Sequence, residues 1–157
     1  MIYWFTGQPA AGKTILGKKL IEFLKTEKRN WRRTVFHLDG DDLRELTVNK
    51  DYTPKGREIN IRNAQMITEF LHKNECDVVV SLVAPPRWLR EEFKERIGLE
   101  NFQEFYVHCS DPRERDHFHS KNYEAPQDNF IDVDTTKHSP EKSFSKIINT
   151  LKKLNRL

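Results

Sequence analysis

The sequence predicts an α/β fold of three layers, a central five-stranded parallel sheet flanked by helices, in one domain spanning residues 1–157. Short β-branched and aromatic runs alternate along the chain with longer stretches of helical periodicity, the pattern of parallel strands joined by crossover helices. The central runs are apolar on both faces, as strands covered on either side must be. The length suits a single domain with a sizeable core.

Ile2, Tyr3, Trp4 and Phe5 are too few for a helix and read as the first, buried strand. Leu16, Leu20, Phe23 and Leu24 then recur at helical spacing, opposite Lys18, Lys19, Glu22 and Lys25. Further strands are expected at Thr34 to Leu38, Asp77 to Val83, Phe102 to Cys109 and Phe130 to Val133. A helix from Arg57 to Asn74 carries Ala64, Ile67, Phe70 and Leu71 on one face. Another, Arg87 to Ile97, carries Leu89, Phe93 and Ile97 and stops at Gly98. The last begins at "SPE", with Ser139 as cap and Pro140 at the first helical position. Ligands on such sheets bind beyond the carboxyl ends of the strands.

Two clusters fall at that edge. In "FTGQPAAGKTILGKKL", Gly7, Gly12, Lys13 and Thr14 fit G-x-x-x-x-G-K-[ST] between the first strand and its helix, the context a phosphate-cradling loop requires. Small residues let successive backbone N–H groups and the positive helix end converge on phosphate oxygens. Gln8, Pro9, Ala10, Ala11 and Ile15 complete the expected nucleotide contact. Lys13 is expected to reach the β- and γ-phosphates of ATP, and Thr14 to ligate Mg2+. In "VFHLDGDDLR" a strand ends in Asp39, Asp41, Asp42 and Arg44. Phosphoryl transfer needs one carboxylate to orient or deprotonate the attacking hydroxyl and another to hold magnesium through water. Asp39 and Asp41 are assigned that chemistry, and Asp42 the part of a first-turn helix acid.

The net charge is +3 with many charges of both signs, a balance that does not demand nucleic acid but suits a phosphorylated small-molecule substrate. The basic run "KTEKRNWRRT" reads as a solvated connection. Cys76 and Cys109 lack any pairing pattern and read as free thiols of a reducing, cytoplasmic compartment. No apolar run reaches the roughly eighteen residues of a membrane span, and the amino terminus enters a strand directly, so no leader is expected.

"GQPAAGKT", "LDGDDLR", "REINIR" and "YEAPQDNFIDVDT" occur in the order and roughly the spacing of the adenylylsulfate kinase family, which the chain resembles over nearly its whole length. The family's glycine-rich loop is followed by D-G-D-x-[VIL]-R, R-x-x-N-I-R and P-Y-E-A-P segments. The resemblance implies a P-loop kinase fold and transfer of the ATP γ-phosphate to the 3′-hydroxyl of adenylylsulfate. By position it makes Asp39 and Asp41 the metal-holding and hydroxyl-orienting acids, with Thr14 and Asp39 at the magnesium. Arg44, Tyr52, Arg57, Asn60, Val83 and Arg87 fall on the acceptor side. Tyr52 stands where the family has a stacking phenylalanine, and a tyrosine offers the same flat face. A homodimer is compatible with the resemblance.

Three departures stand out. Ala84 occupies the family's serine position in "VVVSLVAPPRWLREEF". The basic lid segment is shortened to "DPRERDHFHSK", in which Arg115 can retain a donor-nucleotide contact. The family's second stacking phenylalanine has no aligned partner, and the nearest aromatic is Phe118, flanked by His117 and His119. The shortened lid leaves open an alternative acceptor, another nucleotide-linked hydroxyl such as a cytidine diphosphate derivative or a hydroxymethylated base. A non-catalytic nucleotide-binding module is disfavoured by the acceptor-side residues.

Overall fold

The computed structural model describes residues 1–26, 34–111 and 119–157. Arg115, Phe118 and most of the basic run after the first helix lie outside the described residues. The expected architecture is present. Strands β1 (Ile2–Thr6), β2 (Val35–Asp39), β3 (Asp77–Ser81), β4 (Phe102–His108) and β5 (Phe130–Asp134) form one sheet in the order β2-β3-β1-β4-β5. Every pairing is parallel. Helices α1 (Lys13–Thr26), α2 (Gly40–Leu46), α3 (Pro54–Lys73), α4 (Arg87–Ile97) and α5 (Pro140–Lys153) complete the layers.

Alternation along β1 builds two cores. Tyr3 and Phe5 point to a cluster with Leu16 and Leu20 of α1 and Ile147 and Leu151 of α5. Ile2 and Trp4 point the other way, to Ile61 and Ala64 of α3 and Leu89 and Phe93 of α4. Phe5 stands level with Ser81 on one side and Phe105 on the other; all three central strands run the same way, so their following loops share one edge, with β4 reaching furthest, to His108.

Two local boundaries differ by more than one residue from the sequence expectation. β3 stops at Ser81, not Val83: Leu82 still donates its N–H to the Phe5 carbonyl at 3.0 Å, after which Ala84 at φ 43° and two prolines turn the chain toward α4. α3 starts at Pro54, ahead of Arg57, because the Thr53 hydroxyl caps it by accepting from the Gly56 N–H. The residues after Asp39 form α2, with Asp41 and Asp42 in its first turn.

The turn at residues 82–86 is held from below by a buried charge cluster. Arg90, Lys94 and Glu104 are each at most 1% exposed. Arg90 Nε donates to Glu104 Oε1 at 2.8 Å, and Lys94 Nζ pairs with Glu104 Oε2 at 2.5 Å. The remaining guanidinium donors of Arg90 go to the carbonyls of Ala84, Pro85 and Glu124. A buried guanidinium with its donors satisfied is expensive to truncate, because Glu104 and three carbonyls lose a partner at once. Arg90→Met is therefore expected to cost about 3–5 kcal/mol of folding stability, measured as a shift in the urea unfolding midpoint; a loss below about 1 kcal/mol would show that the cluster does not hold the turn.

Candidate active site

The phosphate loop takes its shape from close packing against β4. A Cβ on Gly7, at φ 146°, would lie 1.9 Å from the Val107 carbonyl oxygen, so only glycine passes there. Ala10 sits in the left-handed region at φ 61° and Gly12 at φ 106°, and the Thr135 hydroxyl holds the loop from outside by donating to the Ala11 carbonyl at 3.0 Å. α1 starts at Lys13 with no acidic residue in its first turn, leaving its positive end open to an anion. Lys13 is buried, and its ammonium arches back to the Gln8 carbonyl at 2.7 Å.

Asp39, also buried, joins this loop to α2. Its Oδ2 accepts the Thr14 hydroxyl at 2.7 Å, while Oδ1 accepts the Asp41 N–H at 3.0 Å and caps α2. One carboxylate thus aligns the loop's threonine and starts the helix that carries Asp41, Asp42 and Arg44. Beneath them, Ser81 donates its hydroxyl to the Lys13 carbonyl at 3.3 Å. His37 Nε2 therefore donates to that same hydroxyl, at 3.1 Å. Burial holds the His37 imidazole below its ordinary pKa, against the opposing pull of Asp39. Gly17 permits this contact, since a Cβ there would meet Ser81 Oγ at 2.6 Å.

A continuous cleft of about 1040 Å³ runs from the phosphate loop to α3, large for a single small ligand. Lys13, Thr14, Asp39 and Asp41 line one end, and Arg44, Tyr52, Arg57 and Asn60 the other. Pro9, Ala10, Gly12, Ile15 and Val83 also face it. The exposed Tyr52 ring lies under two guanidinium groups, with Arg44 at 4.3 Å and Arg57 at 5.7 Å from its centroid. Arg44 is buried and its Nη1 serves the carbonyls of Asn49 and Asp51, at 3.2 and 2.8 Å. It builds the Tyr52 loop as well as facing the cleft. Arg57 donates from Nε to the Tyr52 carbonyl at 3.0 Å. Burial first, and then the neighbouring Arg44, pull the Arg57 pKa down, so an anion placed there would relieve both guanidinium groups. Asn60 is 1% exposed; its Nδ2 reaches the Gly40 carbonyl at 3.4 Å, and its Oδ1 has no hydrogen-bond partner. A buried acceptor left unsatisfied at a cleft wall calls for a donor from a ligand.

Arg87 is not brought to this cleft. Its backbone N–H donates to Glu124 Oε2 at 2.8 Å and its guanidinium to the Ala125 carbonyl at 3.2 Å, so it ties α4 to the "YEAP" segment. The Gln8 side chain likewise turns away from the cleft, toward Ser120. Sequence reasoning missed Tyr123, whose hydroxyl donates at 3.0 Å to Thr6, which in turn donates to the Val83 carbonyl at 2.9 Å. Burial raises the Tyr123 pKa and keeps that donor neutral. Its place in "YEAP" was the available signal. Ser81, His37 and Arg90 had none.

The family model for adenylylsulphate kinase matches residues 1–143. An adenylyl-sulfate kinase of Halothermothrix orenii is 34% identical over 94% of this chain and 87% of its own length. A cytidine diphosphoramidate kinase of Campylobacter jejuni is 28% identical, over 89% of this chain and 81% of its own. The hexameric adenylylsulfate kinase of Thiobacillus denitrificans superposes with a TM-score of 0.77 at 25% identity; the match covers 99% of this chain and 29% of that longer one. Among the described residues no helix is long and apolar enough to cross a membrane. With a P-loop at the head of a parallel sheet and an acid-bearing helix beside it, the chain belongs to the adenylylsulphate kinase family and is a phosphotransferase acting on a hydroxyl group.

Proposed function

We propose that the protein transfers the γ-phosphate of ATP to the 3′-hydroxyl of adenylylsulfate. The observation that carries the reading is one cleft with phosphate-loop groups at one end and a ring, a guanidinium and an unsatisfied amide at the other. The loop backbone and the α1 terminus receive the donor phosphates, and Lys13 neutralises charge on the transferring group. Thr14 and Asp39 offer hard oxygen donors 2.7 Å apart, which suits Mg2+ held by few protein ligands together with phosphates and water. When bound, the ion would supply neutralisation of phosphate charge. Asp41, on the first turn of α2, orients the attacking hydroxyl or takes up its proton. On the acceptor side the free part of the Tyr52 ring stacks on the base, Arg57 holds the anionic group, and Asn60 Oδ1 accepts from a sugar hydroxyl.

A second reading is favoured by one observation. Tyr52 is the sole aromatic side chain lining the cleft among the described residues, so the acceptor base has one wall rather than two. A smaller base on another nucleotide-linked hydroxyl fits such a half-open site, and the Campylobacter relative is named for a cytidine diphosphate derivative. Consumption of ATP measured across adenylylsulfate, cytidine diphosphate derivatives and hydroxymethylated DNA decides between them. The expected outcome is turnover with adenylylsulfate; turnover confined to a cytidine nucleotide or to DNA replaces the first reading.

Two sets of variants test the roles. Lys13→Ala is expected to lower kcat on the order of a hundredfold to a thousandfold with the fold intact by circular dichroism, and Asp39→Asn to lower kcat far more than ATP affinity. Full activity in folded Lys13→Ala rejects the phosphate-loop role, and equal losses of turnover and affinity in Asp39→Asn mark a purely structural acid. At the other end, Tyr52→Ala is expected to weaken acceptor binding by about 1–3 kcal/mol, with Arg57→Ala acting on the same ligand and donor affinity barely altered. Calorimetry with the acceptor in the presence of ADP and magnesium measures both, and a loss of donor affinity instead would place the two residues on the wrong substrate.

A further inference from the structure

Gln8 belongs to the phosphate loop by sequence, but its side chain does something a nucleotide contact does not require. Its Nε2 donates to the Ser120 carbonyl at 3.0 Å, and its Oε1 accepts the Ser120 N–H at 2.9 Å. Two bonds to one main-chain unit fix both position and orientation, as a paired residue does in an antiparallel ladder. The carbonyl of the same residue receives the Lys13 ammonium at 2.7 Å. Gln8 is therefore where the loop's cation and the chain returning at Ser120 meet.

From Ser120 the chain runs directly to the wall of the cleft. The Tyr123 N–H donates to the Ser120 carbonyl at 3.2 Å, and the Glu124 N–H to the Pro85 carbonyl at 3.0 Å. Tyr123 reaches the Val83 carbonyl through Thr6, and Arg90 spans the carbonyls of Ala84, Pro85 and Glu124. Val83, Ala84 and Pro85 line the cleft, and Ala84 is held there in a left-handed conformation, φ 43°, that needs support from its surroundings. A strap of residues 120–125 is thus hydrogen-bonded at one end to the phosphate loop and at the other to residues 83–85.

We propose that Gln8 is a positioning residue that couples the two ends of the cleft, so that a nucleotide engaging the phosphate loop tightens the wall at residues 83–85 through the strap. The inference rests on the reading that the loop takes the donor nucleotide. A nucleotide phosphate that draws Lys13 from the Gln8 carbonyl changes the residue that holds the Ser120 end of the strap. Coupling of this kind is a difference in binding free energy between two arrangements, and two hydrogen bonds are enough to make it measurable.

Hydrogen exchange on the full chain, with and without a non-hydrolysable ATP analogue and magnesium, tests it without any acceptor. In the unaltered protein the analogue is expected to slow exchange at Lys13 and Thr14, and at the Ser120 and Glu124 amides by about tenfold. Gln8→Met removes both bonds and keeps the length of the side chain; its thermal midpoint is expected to hold. Slowing at Lys13 and Thr14 should persist in it, and slowing at Ser120 and Glu124 should fall below about twofold. In turnover assays with the accepted substrate the same variant should lose about tenfold in kcat with KM for ATP nearly unchanged, a split that a general loss of stability would not produce. Retained slowing at Glu124 in Gln8→Met overturns the coupling. Slowing at the loop but not at Glu124 in the unaltered protein overturns it too, leaving the donor site standing. No slowing even at Lys13 and Thr14 overturns the donor reading and the coupling together.

Discussion

The carboxylate of Asp39 is the constraint on which the site is built. Its two oxygens are spent on different elements: Oδ2 takes the Thr14 hydroxyl from the first turn of α1, and Oδ1 takes the Asp41 N–H and starts α2. An acid that caps one helix while receiving a side chain from another fixes the two amino termini against each other. Both helix ends carry partial positive charge, so the carboxylate also offsets their mutual repulsion at the sheet edge. The seat for Asp39 is itself set by parallel pairing, which brings it level with Ser81.

The far side of the cleft rests on a different physics. Where Asp39 works at the surface of the core, Arg90 works inside it, and its ion pair with Glu104 has no solvent to screen it. Burying such charges costs several kcal/mol before pairing repays it, and what is gained in exchange is direction. A planar fork of five donors lets Arg90 reach the carbonyls of Ala84 and Pro85 in the turn and of Glu124 in the strap as well as Glu104. An apolar core residue could fill the same volume but could not hold Ala84 out of its preferred backbone region. The strap at residues 120–125 shares that support, which is why the wall and the strap form one unit with the phosphate loop reached through Gln8.

Much of this was legible from the chain alone. All five strands, the phosphate loop, and Asp39 and Asp41 at the edge follow from local signals: apolar runs, a glycine-spaced motif, acids just past a strand. The end of β3 is not legible because Leu82 and Val83 continue the apolar run, and the left-handed Ala84 marks where the chain turns away from the sheet. The start of α3 is obscured because Lys55 and Gly56 interrupt the apolar pattern, although Thr53 and Pro54 carry a cap signal. Arg90 and the Gln8 side chain were invisible for a stronger reason. Their partners lie 14 and 112 residues away, and nothing in the residue types predicts which distant carbonyl or amide a side chain will find. Arg87 shows the converse, a position that matches a motif while its guanidinium serves the backbone at Ala125.

The unbroken cleft between the phosphate loop and Tyr52 has a practical corollary for ligand chemistry. Because the two ends share one cavity, a single compound joining a polyphosphate to a flat heterocycle can occupy both, and linking the halves turns the second contact into an intramolecular one. Tyr52 adds to this by being braced in advance. With Arg44 4.3 Å from its ring and Arg57 holding its main-chain carbonyl, the backbone that carries the ring is already fixed when a ligand ring settles on it, so part of the ordering cost was met during folding.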